Sequence, residues 1–170
     1  MCFCEKISKK IWQIKKIALF LYLKQNRRKY KFEMITNSDL SEELKTLGIR
    51  PSVQRIAVMD FLIKNPIHPT IDEIYSALSK TMPMLSKTTV YNTVKTLSDN
   101  RAIQTLFIDE KNKRYDADTN KHAHFMCNTC GKVFDLPIKS LEIETENDAS
   151  HNITEFHLYY RGTCEKCKNQ

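Results

Sequence analysis

Fourteen residues concentrate the chemistry of this chain: His122-Ala-His124-Phe-Met-Cys127-Asn-Thr-Cys130-Gly131-Lys-Val-Phe-Asp135 holds two histidines, two cysteines and one aspartate. All are metal-ligand types. A second cysteine pair, Cys164-Glu-Lys-Cys167, lies near the C-terminus. Two C-x-x-C units suit one tetrahedral zinc, because four thiolates close a structural site and each pair brings both sulfurs to one turn. The 33 residues between the pairs exceed the spacing of a simple zinc ribbon, so the metal is expected to staple a small subdomain rather than one loop. His122, His124 and Asp135 are left over. Imidazole and carboxylate suit a different ion, iron or manganese. On an extended segment, alternate residues share a face, which aims His122 and His124 the same way. Two metals with two roles are expected.

These ligands need a scaffold. At 170 residues the chain can hold one ordinary domain or two small ones, and its apolar content of 41% is enough for a core. Four of the six thiols fall in metal-type pairs and no secretory context supports a disulfide framework, which points to a reducing, cytoplasmic setting. The net charge of +7 is unevenly spread: residues 1–33 carry ten Lys/Arg and two acids, leaving 17 basic and 18 acidic groups in the other 137. Any case for nucleic acid must therefore rest on motif rather than isoelectric point.

Residues 1–33 differ from the rest. Ile7, Ile11, Ile14, Ala18 and Leu21 share one helical face among lysines, but the longest apolar run, Ile17 to Leu23, is seven residues. A membrane span needs about 20. Lys24-Gln-Asn-Arg-Arg follows in place of a signal cleavage site. A basic arm for membrane or DNA and a loose tail are both open; the favoured expectation is a dispensable extension or start-site artefact, with Met34 beginning the working protein.

From Ser38 the pattern is regular. Asn37 or Ser38 caps a helix bearing Leu40, Leu44 and Leu47, which Gly48 ends. Pro51 suits a first helical turn, with Val53, Ile56, Ala57, Phe61 and Leu62 following at helical spacing and Asn65-Pro66 stopping them. Thr70-Ile-Asp-Glu73 is a capping box for a helix with Ile74, Tyr75 and Leu78 on one face, broken at Met82-Pro83. Ser86 opens a fourth helix with Val90, Val94 and Leu97 inward and Lys87, Thr88, Thr89, Tyr91, Asn92 and Lys95 outward. Ile103–Ile108 and Lys113–Asp116 form a hairpin, though without a turn glycine. Helices followed by such a wing make a winged helix. Beyond Asp118, strands at Lys132–Leu136 and Ile153–Tyr160 flank a helix-like stretch at 140–147, with Phe134, Leu136, Leu158 and Tyr160 alternating as a half-buried sheet would.

A winged helix followed by H-x-H-x-x-C-x-x-C-G-K and a terminal C-x-x-C resembles the ferric uptake regulator superfamily of bacterial metal-dependent repressors. Pro51-Ser-Val-Gln-Arg55, His68-Pro-Thr-Ile-Asp-Glu-Ile-Tyr75 and Ser86-Lys-Thr-Thr-Val-Tyr-Asn-Thr-Val94 agree with it, and the resemblance covers about residues 38–168. It implies an α+β chain: a winged-helix DNA-binding domain at 34–117 and a small α/β, zinc-stapled dimerisation domain at 118–170. It implies that Cys127, Cys130, Cys164 and Cys167 hold structural zinc. His68, Asp116, His122, His124 and Asp135 would hold a regulatory Fe(2+) or Mn(2+), and operator DNA and a second copy of the chain would be the partners. No membrane or small organic substrate is expected. The Asp135 position is usually Glu in iron-uptake sensors and Asp in peroxide-sensing repressors. A third site common in iron and zinc sensors shows Lys121, Ala123 and Phe156 at its ligand positions, with only Glu142 retained and His157 one residue away. Both departures favour the peroxide-sensing branch, in which His68 and His122 are oxidised.

Local readings compete with some of these roles. His68 flanked by Ile67 and Pro69 could be a solvent-exposed loop histidine. Asp116 could be a turn residue, with Asp118 close enough to replace it. His151 and His157 read as surface or dimer-interface residues. Arg55, Lys87, Tyr91 and Lys113 are the expected DNA contacts alongside Thr88, Thr89 and Asn92. An iron or zinc uptake regulator, a zinc hydrolase and a zinc-stabilised interaction module are the alternatives. The hydrolase lacks an H-E-x-x-H and a placed general base.

Overall fold

Helix signals and observed helices coincide across the first half of a computed structural model that describes residues 35–138 and 154–169. The basic segment 1–33, the helix-like stretch 140–147, Glu142 and His151 lie outside the described residues. α1 spans Asn37–Thr46 and buries Leu40 and Leu44. It closes with Gly48 at φ +75°, where the Gly48 N–H bonds the Lys45 carbonyl and the Ile49 N–H the Leu44 carbonyl. That paired bonding satisfies two otherwise orphaned carbonyls, and only a residue without Cβ takes the left-handed turn at little cost.

α2 spans Val53–Lys64, and Ser52 caps it by accepting the Arg55 N–H. The cap places Pro51 outside the helix, not in its first turn as its type suggested. The buried face is Val58, Met59, Leu62 and Ile63, while Val53 is 72% exposed. α3 spans Ile71–Leu78 with the complete Thr70/Glu73 capping box, and Ile74 is its fully buried residue. It ends four residues before Met82, in turns where the Thr81 and Met82 N–H groups bond the Leu78 carbonyl. α4 spans Lys87–Asp99, is capped by Ser86, and buries Val90, Thr93, Val94 and Leu97. α2 and α3 both pack against α4, so these faces make the first core.

A hairpin follows, β1 (Gln104–Leu106) antiparallel to β2 (Arg114–Asp116). Its loop turns without glycine because the Asp109 carboxylate accepts the Lys111 N–H and supplies an Asx-turn. The second sheet has the order β4-β3-β5, with β3 (Ala123–Cys127) antiparallel to β4 (Val133–Leu136) and parallel to β5 (Tyr159–Gly162). α5, Glu165–Lys168, ends the fold. Leu106 and Ile108 of the hairpin pack on Val133, with Met126 and Tyr159 against them, so a second small core joins wing to sheet.

Two strand expectations change. The last strand spans Tyr159–Gly162, and residues 154–158 of the expected Ile153–Tyr160 strand are in no strand, while Ile153 lies outside the described residues. The alternating Phe134/Leu136/Leu158/Tyr160 face is largely exposed in the single chain: Phe134 is 40%, Leu136 36% and Tyr160 49% exposed. No element of the described residues covers it. No helix among the described residues is long and apolar enough to cross a membrane.

Candidate metal centre

Five side chains from four places in the chain converge. His68 lies in the loop between α2 and α3, Asp116 ends β2, His122 precedes β3, His124 is in β3 and Asp135 is in β4. Their ligand atoms all lie within 4.8 Å of one another. The sheet register explains part of this, since His124 and Asp135 are direct cross-strand partners and so share a face. His68 Nε2 is 2.8 Å from Asp135 Oδ1, and His122 Nε2 is 3.1 Å from Asp116 Oδ2 and 3.2 Å from Asp135 Oδ1. His124 Nε2 is 2.9 Å from His122 Nε2 and 3.5 Å from Asp116 Oδ2. Metal–ligand bonds of about 2.1 Å put neighbouring donors about 3 Å apart, so the cluster has the size of a coordination shell. The expected solvent exposure of a loop histidine is not seen: His68 is 1% exposed. Its φ of +53° is the left-handed conformation that a non-glycine residue adopts at a cost.

Electrostatics mark the same site. Burial opposes ionisation of Asp116, but hydrogen bonds from His122 and His124 override it and hold the carboxyl at about 2. Burial likewise opposes charge on His122, yet its bonds to Asp116 and Asp135 raise it to about 10. Asp135 is depressed well below the carboxylate range, against burial, by His122 and His68. In the metal-free chain both carboxylates thus favour a proton on His122, which lies between them. The donor set of three imidazoles and two carboxylates fits a divalent ion that accepts nitrogen and oxygen, iron or manganese among them.

Asp118 does not substitute for Asp116. Its carboxylate accepts the Asn120 N–H at 3.0 Å and its own carbonyl accepts from Gln104, which turns it away from the cluster.

Cys127, Cys130, Cys164 and Cys167 form the second cluster, also within 4.8 Å of one another. Cys127 ends β3, and Gly131 at φ +69° lets its N–H return to the Cys127 carbonyl at 2.8 Å. Cys164 begins α5 and donates its N–H to Cys127 Sγ at 3.3 Å. Cys130 Sγ and Cys164 Sγ are 3.8 Å apart. Zn–S bonds of about 2.3 Å in a tetrahedron separate sulfurs by about 3.8 Å, so four thiolates here fit zinc. Backbone N–H groups of Cys164 and Cys130 lower Cys127 to about 5, while hydrogen bonding by Cys164 raises Cys167 to about 12. The four thiols are not all buried: Cys127 is, Cys164 and Cys167 are partly covered, and Cys130 is exposed.

Of the expected DNA contacts, Lys87, Thr88, Tyr91 and Asn92 are exposed on α4, and Lys113 is exposed on the wing with Nζ 5.3 Å over the Phe107 ring. Lys87 is ion-paired with Asp72. Thr89 is half-buried and bonds Ser86 Oγ at 2.8 Å within the cap. Arg55 donates to the Arg50 carbonyl at 2.6 Å. A groove of about 470 Å³ between α2 and α4 adds Arg50 and Gln54 to this surface. His157 stacks on Tyr159 and meets Phe107 edge-on, filling a seam between sheet and wing. The sequence did not single out Arg50 or Gln54, which meet Thr89 and Asn92 only across this groove, or Arg114, whose partners His68 and Glu73 lie far from it in the chain.

Residues 46–160 match the sequence model of the Ferric uptake regulator family. A peroxide-responsive repressor PerR of Staphylococcus epidermidis is 35% identical over 131 residues, covering 75% of this chain and 87% of the relative. That of Staphylococcus saprophyticus is 35% identical over 136 residues, covering 78% and 91%. Among solved structures, the ferric uptake regulator of Helicobacter pylori superposes with a TM-score of 0.59 at 22% identity, covering 82% of this chain and 95% of that one. The peroxide stress regulator of Campylobacter jejuni gives 0.55 at 24% identity, covering 79% and 100%. At these identities the structural matches speak for the fold alone.

Proposed function

The chain belongs to the ferric uptake regulator family, and from that premise we propose that it is a metal-dependent transcriptional repressor that responds to hydrogen peroxide. It is a regulator and not an enzyme, which removes the hydrolase alternative. In this reading residues 34–117 bind operator DNA and residues 118–170 dimerise, in the cytoplasm. Cys127, Cys130, Cys164 and Cys167 hold structural zinc, and His68, Asp116, His122, His124 and Asp135 hold ferrous iron or manganese. The exposed apolar face of Phe134, Leu136 and Tyr160 supports a homodimer, since a second copy would cover it.

One observation carries the reading: the five donors come from both the winged helix and the sheet. An ion bound by both fixes their relative orientation, and it binds that arrangement better than any in which His68 or Asp116 has moved away. Occupancy then shifts the population toward one form. α4 would enter the major groove with Thr88, Tyr91 and Asn92, while Lys87, Arg55 and Lys113 meet phosphates. Thr89 serves more through the cap than through a base.

The peroxide response rests on Asp135 at the branch-marking position and on the 35% identity to peroxide-responsive relatives. Ferrous iron held by His68, Asp116, His122, His124 and Asp135 would supply the electrons that open peroxide. One peroxide oxygen would insert at a ring C–H of His68 or His122, and the other would leave as water. An oxidised ring holds metal poorly, the two halves come apart and DNA is released. Manganese holds the same form without this loss.

Peptide mass spectrometry of the zinc-loaded protein, carrying ferrous iron or manganese, tests this before and after a brief peroxide pulse. One added oxygen on the peptides with His68 or His122, with iron only, is expected. Unmodified histidines at confirmed iron occupancy would instead leave an uptake regulator switched by metal level.

A further inference from the structure

We infer that Arg114 is a positioning residue for the metal centre: it holds the backbone of His68 in the conformation that aims the imidazole at the other four donors. The inference rests on the reading of His68 as a ligand and assigns a role to a residue outside that set.

His68 has an unusual problem. Histidine ligands are ordinarily oriented by a hydrogen bond to the ring nitrogen that does not face the metal. His122 has one, since its Nδ1 lies 2.8 Å from the Asn120 carbonyl oxygen. His68 has none among the described residues, and its Nδ1 is buried without a partner. Apart from Nε2, which faces Asp135 and the other donors, nothing polar among the described residues steers the ring, so its direction must come from the main chain. That main chain sits at φ +53°, a conformation the surroundings have to impose.

Arg114 imposes it. Its Nη1 donates to the His68 carbonyl at 3.2 Å, and the next residue's N–H, Tyr115, donates to the Pro69 carbonyl at 3.1 Å. Two consecutive carbonyls of the loop are thus pinned to β2. The guanidinium is itself fixed: Nη2 is 3.2 Å and Nε 3.3 Å from Asp109 Oδ2, and Nη1 lies 3.7 Å from Glu73 Oε2 of the α3 capping box. Arg114 is 14% and Asp109 11% exposed at the side chain, so the pair is shielded from solvent and held in one geometry. The planar fork matters, because one group must serve a carboxylate and a carbonyl in two fixed directions, which an ammonium does less well. Arg114 also stands two residues before Asp116, so β2 delivers one ligand directly and orients another from a neighbouring loop.

The test is Mn(2+) binding to the full-length, zinc-loaded protein, read from the electron paramagnetic resonance signal of free Mn(2+). Wild type is compared with His68→Ala, Arg114→Gln, Arg114→Lys, Asp109→Asn and the double variant His68→Ala/Arg114→Gln. Arg114→Gln is expected to weaken Mn(2+) about 10- to 100-fold, the usual cost of losing a group that orients a ligand. Arg114→Lys should fall between it and wild type. The double variant should bind no more weakly than His68→Ala alone, because Arg114 acts through His68; a merely structural role would add a further loss. Wild-type affinity in Arg114→Gln, with His68→Ala weakened, overturns the inference. Wild-type affinity in His68→Ala overturns instead the assignment of His68 as a ligand. Should Arg114→Gln lose zinc or its circular dichroism, Asp109→Asn decides: weakened Mn(2+) binding supports the inference and unchanged binding overturns it.

Discussion

His68 Nε2 and Asp135 Oδ1 stand 2.8 Å apart although 67 positions separate them in the chain. The contact joins a loop of the helical half to a strand of the terminal sheet. Replacing either residue with Ala should therefore break the same link. We expect His68→Ala and Asp135→Ala each to abolish Mn(2+)-dependent binding to operator DNA. The loss of Mn(2+) affinity should exceed the roughly 10- to 100-fold cost of an outer-shell change. Zinc content should stay at that of wild type. Gel-shift titration at fixed Mn(2+), with zinc measured alongside, checks both; retained metal-dependent DNA binding would remove the bridge from the mechanism.

The pH behaviour of metal-free and metal-loaded protein should run in opposite directions. His122 is raised from 6.5 to about 10 in the folded, metal-free chain, so folding holds a proton that the unfolded chain releases. That stabilisation is complete below about pH 6.5 and disappears as pH rises toward about 10. Asp116, lowered to about 2, contributes above its ordinary value of 3.8 and loses that contribution only as pH falls toward 2. A metal needs the neutral imidazole and must displace the His122 proton, so its affinity climbs over the interval in which the metal-free fold weakens. Urea midpoints and Mn(2+) affinities between pH 6 and 9 would show this crossing. Parallel trends would mean that His122 does not carry the exchangeable proton.

Much of this was legible in the sequence because the signals were local. The Thr70/Glu73 capping box, Gly48 and the Ser86 cap each act within a few residues, and each marks a helix end where it was expected. The two cysteine pairs were legible for the same reason, each being one turn of chain. The limits appear where partners are distant. His68 read as a loop histidine because its burial depends on β2 and β4. Nothing local marks Arg114, because His68, Asp109 and Glu73 come to it only in the fold. The last strand was placed too early because periodicity cannot say where its partner β3 begins. Thr89 lay on the outward face by periodicity, while the Ser86 cap claims its hydroxyl.

The seam between wing and sheet should be a large contributor to stability. Leu106 is fully buried against Ile108 and Val133, with Met126 and Tyr159 beside them. Leu106→Ala leaves a cavity that a joint between two thin sheets cannot close, and the expected cost is about 2–5 kcal/mol. Chemical denaturation of the zinc-loaded, Mn(2+)-free protein measures it without interference from the second metal. A cost near zero would mean that the wing separates from the sheet before the measured transition, and that the seam is not part of the cooperative unit.

Zinc should matter to the second metal although no cysteine touches it. Cys127 is the last residue of β3, the strand that carries His124 and follows His122, and Asn128 just beyond it bonds the Gly162 carbonyl of β5 at 2.8 Å. The thiolate cluster thus ties β3 to the turn after β5 in a three-stranded sheet too small to hold its own shape. Cys164→Ser, or removal of zinc by a strong chelator, should open that end of the sheet, misplace His122, His124 and Asp135 together, and abolish Mn(2+) binding. His68→Ala differs, because His68 comes from the helical half and its loss leaves the sheet's own ties in place. Circular dichroism with Mn(2+) titration of zinc-free protein separates the possibilities. Full Mn(2+) affinity without zinc would show that β3 and β4 hold the donors unaided, and would reduce the thiolate cluster to a local cross-link.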